Sequence, residues 1–325
     1  MNRRNLTLVL LFIALVALAA ISMAAGRVWV PFHQWFDPTD PRAAIIFELR
    51  LPRTLLAVAV GGALGMSGAA MQGYTRNPLA DPGALGVSST AAFGAVMTLY
   101  LGAGAALPWV TVAAAMAGAL AAVLLLLALS GRNASVVTFV LAGVILQTMA
   151  AAGVALALSL APNPWAVSEI INWLMGSLAD RSFQDLAMAV PLILLGGGLL
   201  LMIGRALDAL TLGETGAQSL GVNLHLTRWL LAIGVALTAG ASVAVTGVIG
   251  FVGLIVPHLL RPMVGARPSG LLIPSAVGGA VLVLAADILV RLTPAATEVR
   301  LGVAMSVLGG PFFFALLLSL RKRIA

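Results

Sequence analysis

The chain has 325 residues, of which 61% are hydrophobic and only 9% are charged, whereas a soluble domain carries closer to a quarter charged residues. This composition excludes a soluble globular fold, predicts a membrane protein and leaves no room for a large soluble domain. The net charge of +7 does not indicate nucleic-acid binding, because the basic residues stand singly between apolar runs, and the absence of cysteine excludes disulfides and thiolate metal sites.

Ten apolar windows long enough to cross a membrane follow one another along the chain. They lie at 6–25, 54–73, 85–102, 108–130, 135–160, 186–204, 228–246, 248–263, 271–291 and 302–320. We therefore predict an all-α polytopic membrane protein in which residues 1–325 form a single transmembrane domain. The first window could also be a secretory signal, because arginines precede it and small residues end it, but its length favours an uncleaved span.

The distribution of basic residues predicts the orientation of these spans. An even number of spans puts both termini on the same side, and cytoplasmic termini place eleven of the eighteen Lys and Arg residues inside, as the positive-inside rule requires. The other arginines then lie outside, where a second role has to account for them. They are Arg27, Arg42, Arg50, Arg53, Arg181, Arg291 and Arg300.

Polar breaks interrupt the apolar windows at three places. In TRNPLADPGALGVSST (75–90), the Asn-Pro and Asp-Pro pairs stop the second span near Gln72, and Gly83 and Gly86 permit a tight return into the membrane. Irregular backbone of this kind is tolerated only at the water interface or against protein. We therefore expect a packed turn at the inner face, called the inner turn below, which contains Arg76, Asn77, Pro78, Asp81 and Pro82.

The other two breaks each predict a short helix. The amphipathic stretch SEIINWLMGSL (168–178) predicts a half-helix at the outer mouth. The stretch DALTLGETGAQSLGV (208–222) predicts a short polar helix on the inner face, because Thr211 and Glu214 have capping-box spacing and Gly221 can end the helix.

The sequence contains no energy source for transport. A Walker A loop requires a Gly-Lys-Ser/Thr element, and the single lysine is Lys322, between two arginines near the C-terminus. An ion-driven carrier usually holds several ionisable groups in its spans, but here Asp287 stands nearly alone and has Arg291 as an i,i+4 partner. We expect no catalytic residue, no metal site and no enzymatic activity, and we expect the energy to come from another subunit.

Several stretches together resemble the permease subunits of ABC importers for iron-siderophores, haem and vitamin B12, the FecCD-type family with the type II import fold. They follow the family order from about residue 45 to the end of the chain. They include RLPRTLLAVAVGGALGMSGAAMQG (50–73), RNPLADPGALGVSS (76–89), LGETGAQSLGV (212–222), GFVGLIVPHLLR (250–261) and LGVAMSVLGGPFFF (301–314). The resemblance implies ten transmembrane helices with both termini cytoplasmic, in the cell inner membrane.

The resemblance also implies the roles of particular residues. The family's arginines that receive carboxylates of the binding protein match Arg50, Arg53 and Arg291, and the inner turn is implied to lie near the ATPase. The family's coupling helix, which sits in a groove of the ATPase, matches Leu212, Gly213, Glu214, Thr215, Gln218, Ser219, Leu220 and Gly221. The pore and cytoplasmic gate match Ser135, Val136, Val137, Asn172, Met175 and Ser177.

The implied partners are a second copy or a paralogous permease, two ATP-binding subunits, a periplasmic substrate-binding protein and the lipid bilayer, with no nucleic acid. ATP and Mg²⁺ would be held by the ATP-binding subunits, and this chain would carry no cofactor. The implied cargo is a metal chelate, either an iron-siderophore, haem or cobalamin. The alternative function is an ion-coupled secondary carrier that acts alone.

Overall fold

The computed structural model describes residues 3–26, 28–37, 40–131, 135–294 and 298–324, so Arg27 lies outside the described residues. Over these ranges the chain is helical and contains no β-strand. The main helices are α1 (Arg3–Ala24), α2 (Leu51–Thr75), α3 (Val87–Tyr100), α4 (Pro108–Ser130), α5 (Val136–Ser159), α6 (Pro164–Leu174), α7 (Phe183–Met202), α8 (Gly204–Leu210), α9 (Glu214–Ser219), α10 (Leu224–Thr246), α11 (Val252–Val264), α12 (Pro268–Leu292) and α13 (Leu301–Ile324).

Each of the ten apolar windows coincides with one of these helices. Within the described residues, seven helices are long and apolar enough to cross a membrane, namely α1, α2, α4, α5, α7, α10 and α12. The helix α3, the helix α11 and the first part of α13 are apolar but shorter. The all-helical membrane fold is therefore confirmed, whereas the count of ten spans and the cytoplasmic position of both termini stay predictions.

Two helices, α2 and α10, form the centre of the bundle. In their most apolar windows, 72% of the residues of α2 and 83% of those of α10 are buried within the protein, against 11% for α1. A helix that is apolar on all sides and buried on all sides belongs to the interior, whereas α1 presents its apolar side chains to the lipid.

The most extensive contact between two helices joins α2 to α12, which run antiparallel. Glycines allow the backbones to touch: a Cβ atom at Gly61 would lie 2.8 Å from Cα of Ala280, and one at Gly65 would lie 2.9 Å from the carbonyl carbon of Ser275. Close approach through small residues is how membrane helices pack, because no hydrophobic effect drives them together within lipid. This contact is called the glycine seam below.

The structure corrects three local predictions. The half-helix at the outer mouth is α6, which begins at Pro164 and ends at Leu174 instead of spanning 168–178, because the Asn163 side chain caps its N-terminus by accepting from the Ala166 amide. The predicted capping box of Thr211 and Glu214 does not form, because α9 begins only at Glu214. In the inner turn, the residues in the left-handed region are Arg76 and Gly86, and Gly83 has ordinary backbone angles.

Candidate functional site

The three arginines predicted to dock a binding protein lie together at the outer ends of α1, α2 and α12. Arg50, which is 5% exposed, precedes α2 and directs its guanidinium at the C-terminal end of α1. It donates to the carbonyls of Met23 and Ala24, both at 2.9 Å, and to that of Val28. A cation here satisfies carbonyls that the end of a helix leaves without partners.

A buried carboxylate holds the other two arginines. Asp287, which is 0% exposed, accepts from Nε of Arg53 at 3.0 Å and from its Nη2 at 2.7 Å, and forms an ion pair with Arg291 at 2.9 Å. Glu298 also pairs with Arg53, while Arg291 donates to the carbonyl and the hydroxyl of Ser22. We call Arg50, Arg53, Asp287, Arg291 and Glu298 the outer arginine cluster.

The structure thus confirms the i,i+4 pair of Asp287 and Arg291 and adds a partner, Arg53, that no local spacing could reveal. It also shows that all three predicted docking arginines already bind groups of their own chain. Their role in docking stays a prediction, and only the outward edge of the cluster could take part in it.

A cleft of about 200 Å³ lies beside this cluster, and Arg181 and Asp180 complete its polar lining. The sequence analysis assigned no role to Arg181. Its nearest carboxylate, Asp185, is 3.7 Å away, and its Nε atom is buried with no hydrogen-bond partner among the described residues. Burial lowers the pKa of the Arg181 guanidinium, although the carboxylates of Asp185 and Asp180 oppose the shift. The cleft therefore contains a paired cation whose Nε atom still has no hydrogen-bond partner among the described residues.

The predicted pore residues of the half-helix lie at a junction of three segments. The amide of Ser177 donates to the Thr246 carbonyl at 2.7 Å, and the amide of Gly302 donates to the Gly176 carbonyl at 3.2 Å, so the end of α6 is joined to α10 and α13. Asn172 is exposed and accepts from Arg300 at 3.2 Å, and Met175 precedes this junction. The outer half-helix is thus fixed to two spans that lie far from it in sequence.

The helix α5 has an exposed side that differs from those of the other outer helices. Most of the side is apolar, as at Val137, which is 67% exposed, but Gln147 and Thr148 are also exposed near the middle of the helix. An amide in contact with lipid at mid-membrane lacks partners and is costly, so this side faces water or protein instead. The sequence analysis missed Gln147, although a lone amide at the centre of an apolar span is itself a signal.

The predicted gate residues begin α5. Ser135 caps the helix by accepting from the Thr138 amide at 3.2 Å, and its side chain is exposed, as is that of Val137. Val136, in contrast, is buried within the protein. Two of the three residues therefore lie on the exposed side of α5, and the third anchors the start of the helix.

The inner turn is packed against other helices. Asn77 accepts from the Leu79 amide at 2.9 Å, and Asp81 accepts from the Gly83 amide at 2.8 Å, so both side chains close local turns. Pro82 is buried, while Arg76 and Asn77 are exposed and Pro78 is partly buried. The short helical turn Pro82–Leu85 contacts α5.

The segment 211–222 follows α8 and contains α9 and the glycine that ends it. Gly221 has φ +81°, and the Val222 amide donates to the Ala217 carbonyl at 3.0 Å, which confirms the predicted C-terminal glycine. One side of the segment is exposed and includes two large apolar residues, Leu212 at 68% and Leu220 at 65%. The polar residues on this side are Thr215, Gln218 and Ser219.

The opposite side of α9 faces the protein. Ala217 is fully buried, and the Oε1 atom of Glu214 accepts from the backbone amide of Val136 at 3.1 Å. Gly213, with φ +91°, provides the turn that brings Glu214 into this position. The structure therefore joins two segments that the sequence analysis treated separately, the predicted coupling helix and the predicted gate.

Metal-binding chemistry is not evident in the part of the chain that the structure describes, where no group of three His, Cys, Asp or Glu side chains could hold a metal ion. His258 packs against the ring of Phe312, with ring centroids 6.1 Å apart, and Trp229 donates to His225 at 3.2 Å. Both histidines therefore have structural contacts.

The apolar helical body, with polar clusters at its two ends and two polar residues near the middle of the exposed side of α5, is typical of a multi-pass membrane transport subunit. The chain belongs to the FecCD transport family, whose profile matches residues 9–319. It is 38% identical to the uncharacterized ABC transporter permease protein YvrB of Bacillus subtilis (strain 168), over 94% of this chain and 91% of the relative.

Further relatives agree with this assignment. The chain is 37% identical to the vitamin B12 import system permease protein BtuC of Salmonella typhi, over 98% of this chain and 96% of that one. A solved metal-chelate type ABC transporter in an inward-facing conformation superposes with a TM-score of 0.86 and 31% identity, covering 95% of this chain and 97% of the other. The chain is therefore an ABC permease of the metal-chelate and vitamin B12 type, a multi-pass protein of the inner membrane.

Proposed function

We propose that this chain is the permease of an ATP-driven importer that takes a metal chelate from a periplasmic binding protein and releases it into the cytoplasm. Two copies, or one copy and a paralogous permease, form the pathway, with ten spans each and both termini in the cytoplasm. Two ATP-binding subunits hold ATP and Mg²⁺ beneath them, and this chain contributes no cofactor.

The observation that carries the proposal is the difference between the two sides of α9, one of which is exposed while the other is attached to the bundle. The exposed side of the segment 211–222, which contains α9, presents Leu212 and Leu220 among small polar groups, and the opposite side of α9 is fixed to the bundle through Ala217 and Glu214. An exposed apolar surface at the end of a membrane protein, outside the lipid, indicates contact with another protein. Because one side of α9 is attached to the bundle, a displacement that an ATPase imposes on the exposed side can be transmitted to the membrane helices.

The exposed side of α5 supports a pathway between two permease chains. Gln147 and Thr148 break its apolar surface where lipid contact would leave the amide without partners. The pathway would pass along α5 and the outer half-helix, with Asn172, Met175 and Ser177 above and Ser135 and Val137 below. A surface of small and apolar residues with few amides suits a bulky chelate, because it binds the cargo weakly enough to release it.

Docking of the binding protein is proposed at the cleft beside the outer arginine cluster. Arg-carboxylate pairs are planar and bidentate, so a few of them fix the orientation of a partner. Among the residues that the structure describes, the buried Nε atom of Arg181 has no hydrogen-bond partner, and Arg53 also pairs with the partly exposed Glu298. A carboxylate from the binding protein would meet these two cations.

Transport in proteoliposomes tests the proposed function. The purified chain with its ATPase and binding protein should take up labelled cyanocobalamin, haem or an iron(III) siderophore only with hydrolysable ATP. A catalytically inactive ATPase variant is the matched control and should abolish uptake. Uptake by the permease alone, driven by a pH gradient, would instead establish the secondary carrier and overturn the proposal.

A further inference from the structure

The contact between Glu214 and α5 goes beyond the proposed role of α9 as a surface for the ATPase. Glu214 starts α9, but it does not cap its own helix, and its carboxylate reaches the first amide of α5 across 78 positions of sequence. The first amides of an α-helix have no partners within the helix, and the positive end of the helix dipole favours a carboxylate there. Glu214 supplies both the acceptor and the charge.

The first turn of α5 has a second side-chain acceptor, which comes from its own N-cap residue. Ser135 satisfies the Thr138 amide, so the side-chain cap of α5 and the Glu214 carboxylate serve different amides of the same first turn. The side chain of Val136 is buried beside this hydrogen bond, so the bond has little exposure to water. A charge-assisted hydrogen bond shielded in this way is stronger than a neutral one in solvent.

A second contact joins α5 to the chain that follows α9. Arg228, the fifth residue of α10, lies over the ring of Phe139 of α5 at 5.8 Å and donates to the Gly131 carbonyl at 3.2 Å. Phe139 in turn packs against Tyr74 of α2, with ring centroids 5.6 Å apart. The chain around α9 is therefore attached to α5 at two places, by Glu214 at the start of α9 and by Arg228 after it.

We propose that Glu214 is a positioning residue that makes the first turn of α5 move together with α9, so that a displacement of α9 by the ATPase reaches the gate directly. The inference rests on the proposed function, because it requires an ATPase that pushes on α9. It differs from the expectation that Glu214 belongs to the ATPase contact, since its carboxylate points into its own chain.

Distance measurements in the assembled complex test this inference. The chain lacks cysteine, so Val137→Cys and Ser219→Cys can carry spin labels in an otherwise native permease, assembled with its ATPase in lipid nanodiscs. The distance between the labels is measured without nucleotide and with ATP bound. We expect the distance between the two labels of one copy to be narrow and unchanged by nucleotide, although each label, paired in separate samples with a third site on α12, moves relative to that site.

Two variants of Glu214 distinguish its proposed coupling of α9 to α5 from a general structural role. Glu214→Gln keeps an acceptor for the Val136 amide and should retain the narrow distribution. Glu214→Ala should broaden it and make it depend on nucleotide, while the complex still binds and hydrolyses ATP. An Ala variant that behaves as the native chain does, or a Gln variant as broad as the Ala variant, would overturn the inference.

Failure of the proposed function would look different. If the chain did not assemble with an ATPase, or if ATP moved neither label relative to α12, then the proposed function itself would be wrong. If ATP moved both labels in the native chain but Glu214→Ala kept them together, only the role of Glu214 would be lost.

Discussion

Arg53 and Asp287 are 234 positions apart in sequence and form a two-point contact between α2 and α12 in the buried part of the bundle. The same carboxylate also pairs with Arg291, and Glu298 is a second anion beside Arg53. These charges lie just above the glycine seam, and together the two features fix the register of the two helices.

Removing Asp287 should destabilise the protein strongly. In Asp287→Ala both guanidinium groups stay buried without their shared partner, and breaking a buried pair of this kind costs about 3–5 kcal/mol. Thermal unfolding of the purified permease in detergent measures the loss. The matched control is Asp40→Ala, whose partner Arg42 is exposed, and it should change little. Equal melting temperatures for the two variants would contradict the prediction.

The docking proposal predicts opposite effects for two neighbouring substitutions. Charge reversal at Arg50 and Arg53 should weaken association with the binding protein, but both residues are structural, so a loss of folding could imitate this result. Glu298→Gln gives a sharper test, because it frees the outward edge of Arg53 and should tighten association at low salt by roughly tenfold, the effect of about 1.4 kcal/mol. Binding measured by surface plasmon resonance would decide, and unchanged or weaker association would contradict docking at this cluster.

The glycine seam predicts that Gly65 and Gly62, one helical turn apart on α2, differ in their tolerance of a methyl group. Gly65→Ala would press its Cβ into the Ser275 carbonyl and should cost about 1–3 kcal/mol in unfolding free energy. Gly62 is the matched control, because its nearest neighbour, the Ala276 carbonyl oxygen, would lie 3.5 Å from the new Cβ, an ordinary contact. Folded yield and melting temperature should fall for Gly65→Ala and hold for Gly62→Ala.

The contacts of Asp208 at the inner face predict that the stability of the protein depends on pH. Burial raises the pKa of its carboxyl, but hydrogen bonds from Ser269 and Arg267 outweigh this effect and hold the pKa below its usual value. Since the folded pKa is depressed, the stabilisation is complete above the unfolded value of about 3.9 and is lost as the pH falls through the folded value.

The variant Asp208→Asn should therefore melt at a lower temperature than the native chain at pH 7, and this difference should shrink as the pH is lowered below about 4. The donors concerned are the Ser269 amide at 2.8 Å and Nε of Arg267 at 2.7 Å. A difference in melting temperature that stays constant down to pH 3 would contradict the assignment.

Gln147 predicts a loss of transport without a loss of stability. Gln147→Leu keeps the size of an exposed side chain, so unfolding should change by less than about 0.5 kcal/mol, whereas uptake in proteoliposomes should fall if the side chain faces the pathway. Leu124→Gln on the exposed side of α4 is the reciprocal control, since an amide facing lipid should lower stability. Unchanged uptake by Gln147→Leu would contradict the pathway along α5.

Apolar periodicity and turn chemistry predict most of the helical architecture. The windows, the glycine after α9 and the i,i+4 pair of Asp287 and Arg291 all depend on neighbours within a few residues, so a single sequence is sufficient. The register of α2 on α12 depends instead on which distant glycines meet. The partner of Arg53 likewise becomes apparent only when the bundle is assembled.

Glu214 illustrates the same limit at the candidate site. Its spacing from Thr211 indicates a capping box, but the amide it satisfies belongs to α5. Residue spacing predicts that Glu214 accepts a hydrogen bond from an amide at the start of a helix. It does not predict to which helix that amide belongs. The exposed amide of Gln147, in contrast, could be recognised from the sequence, because its cost depends only on the apolar residues around it.

The long separation between Arg53 and Asp287 also has a consequence for biogenesis. The ribosome adds about 5–20 residues per second, so α2 leaves the translocation machinery roughly tens of seconds before its counter-ion is synthesised. During that interval Arg53 and the glycines of α2 have no α12 to pack against. The final packing of α2 is therefore completed only after the C-terminal third of the chain has been synthesised.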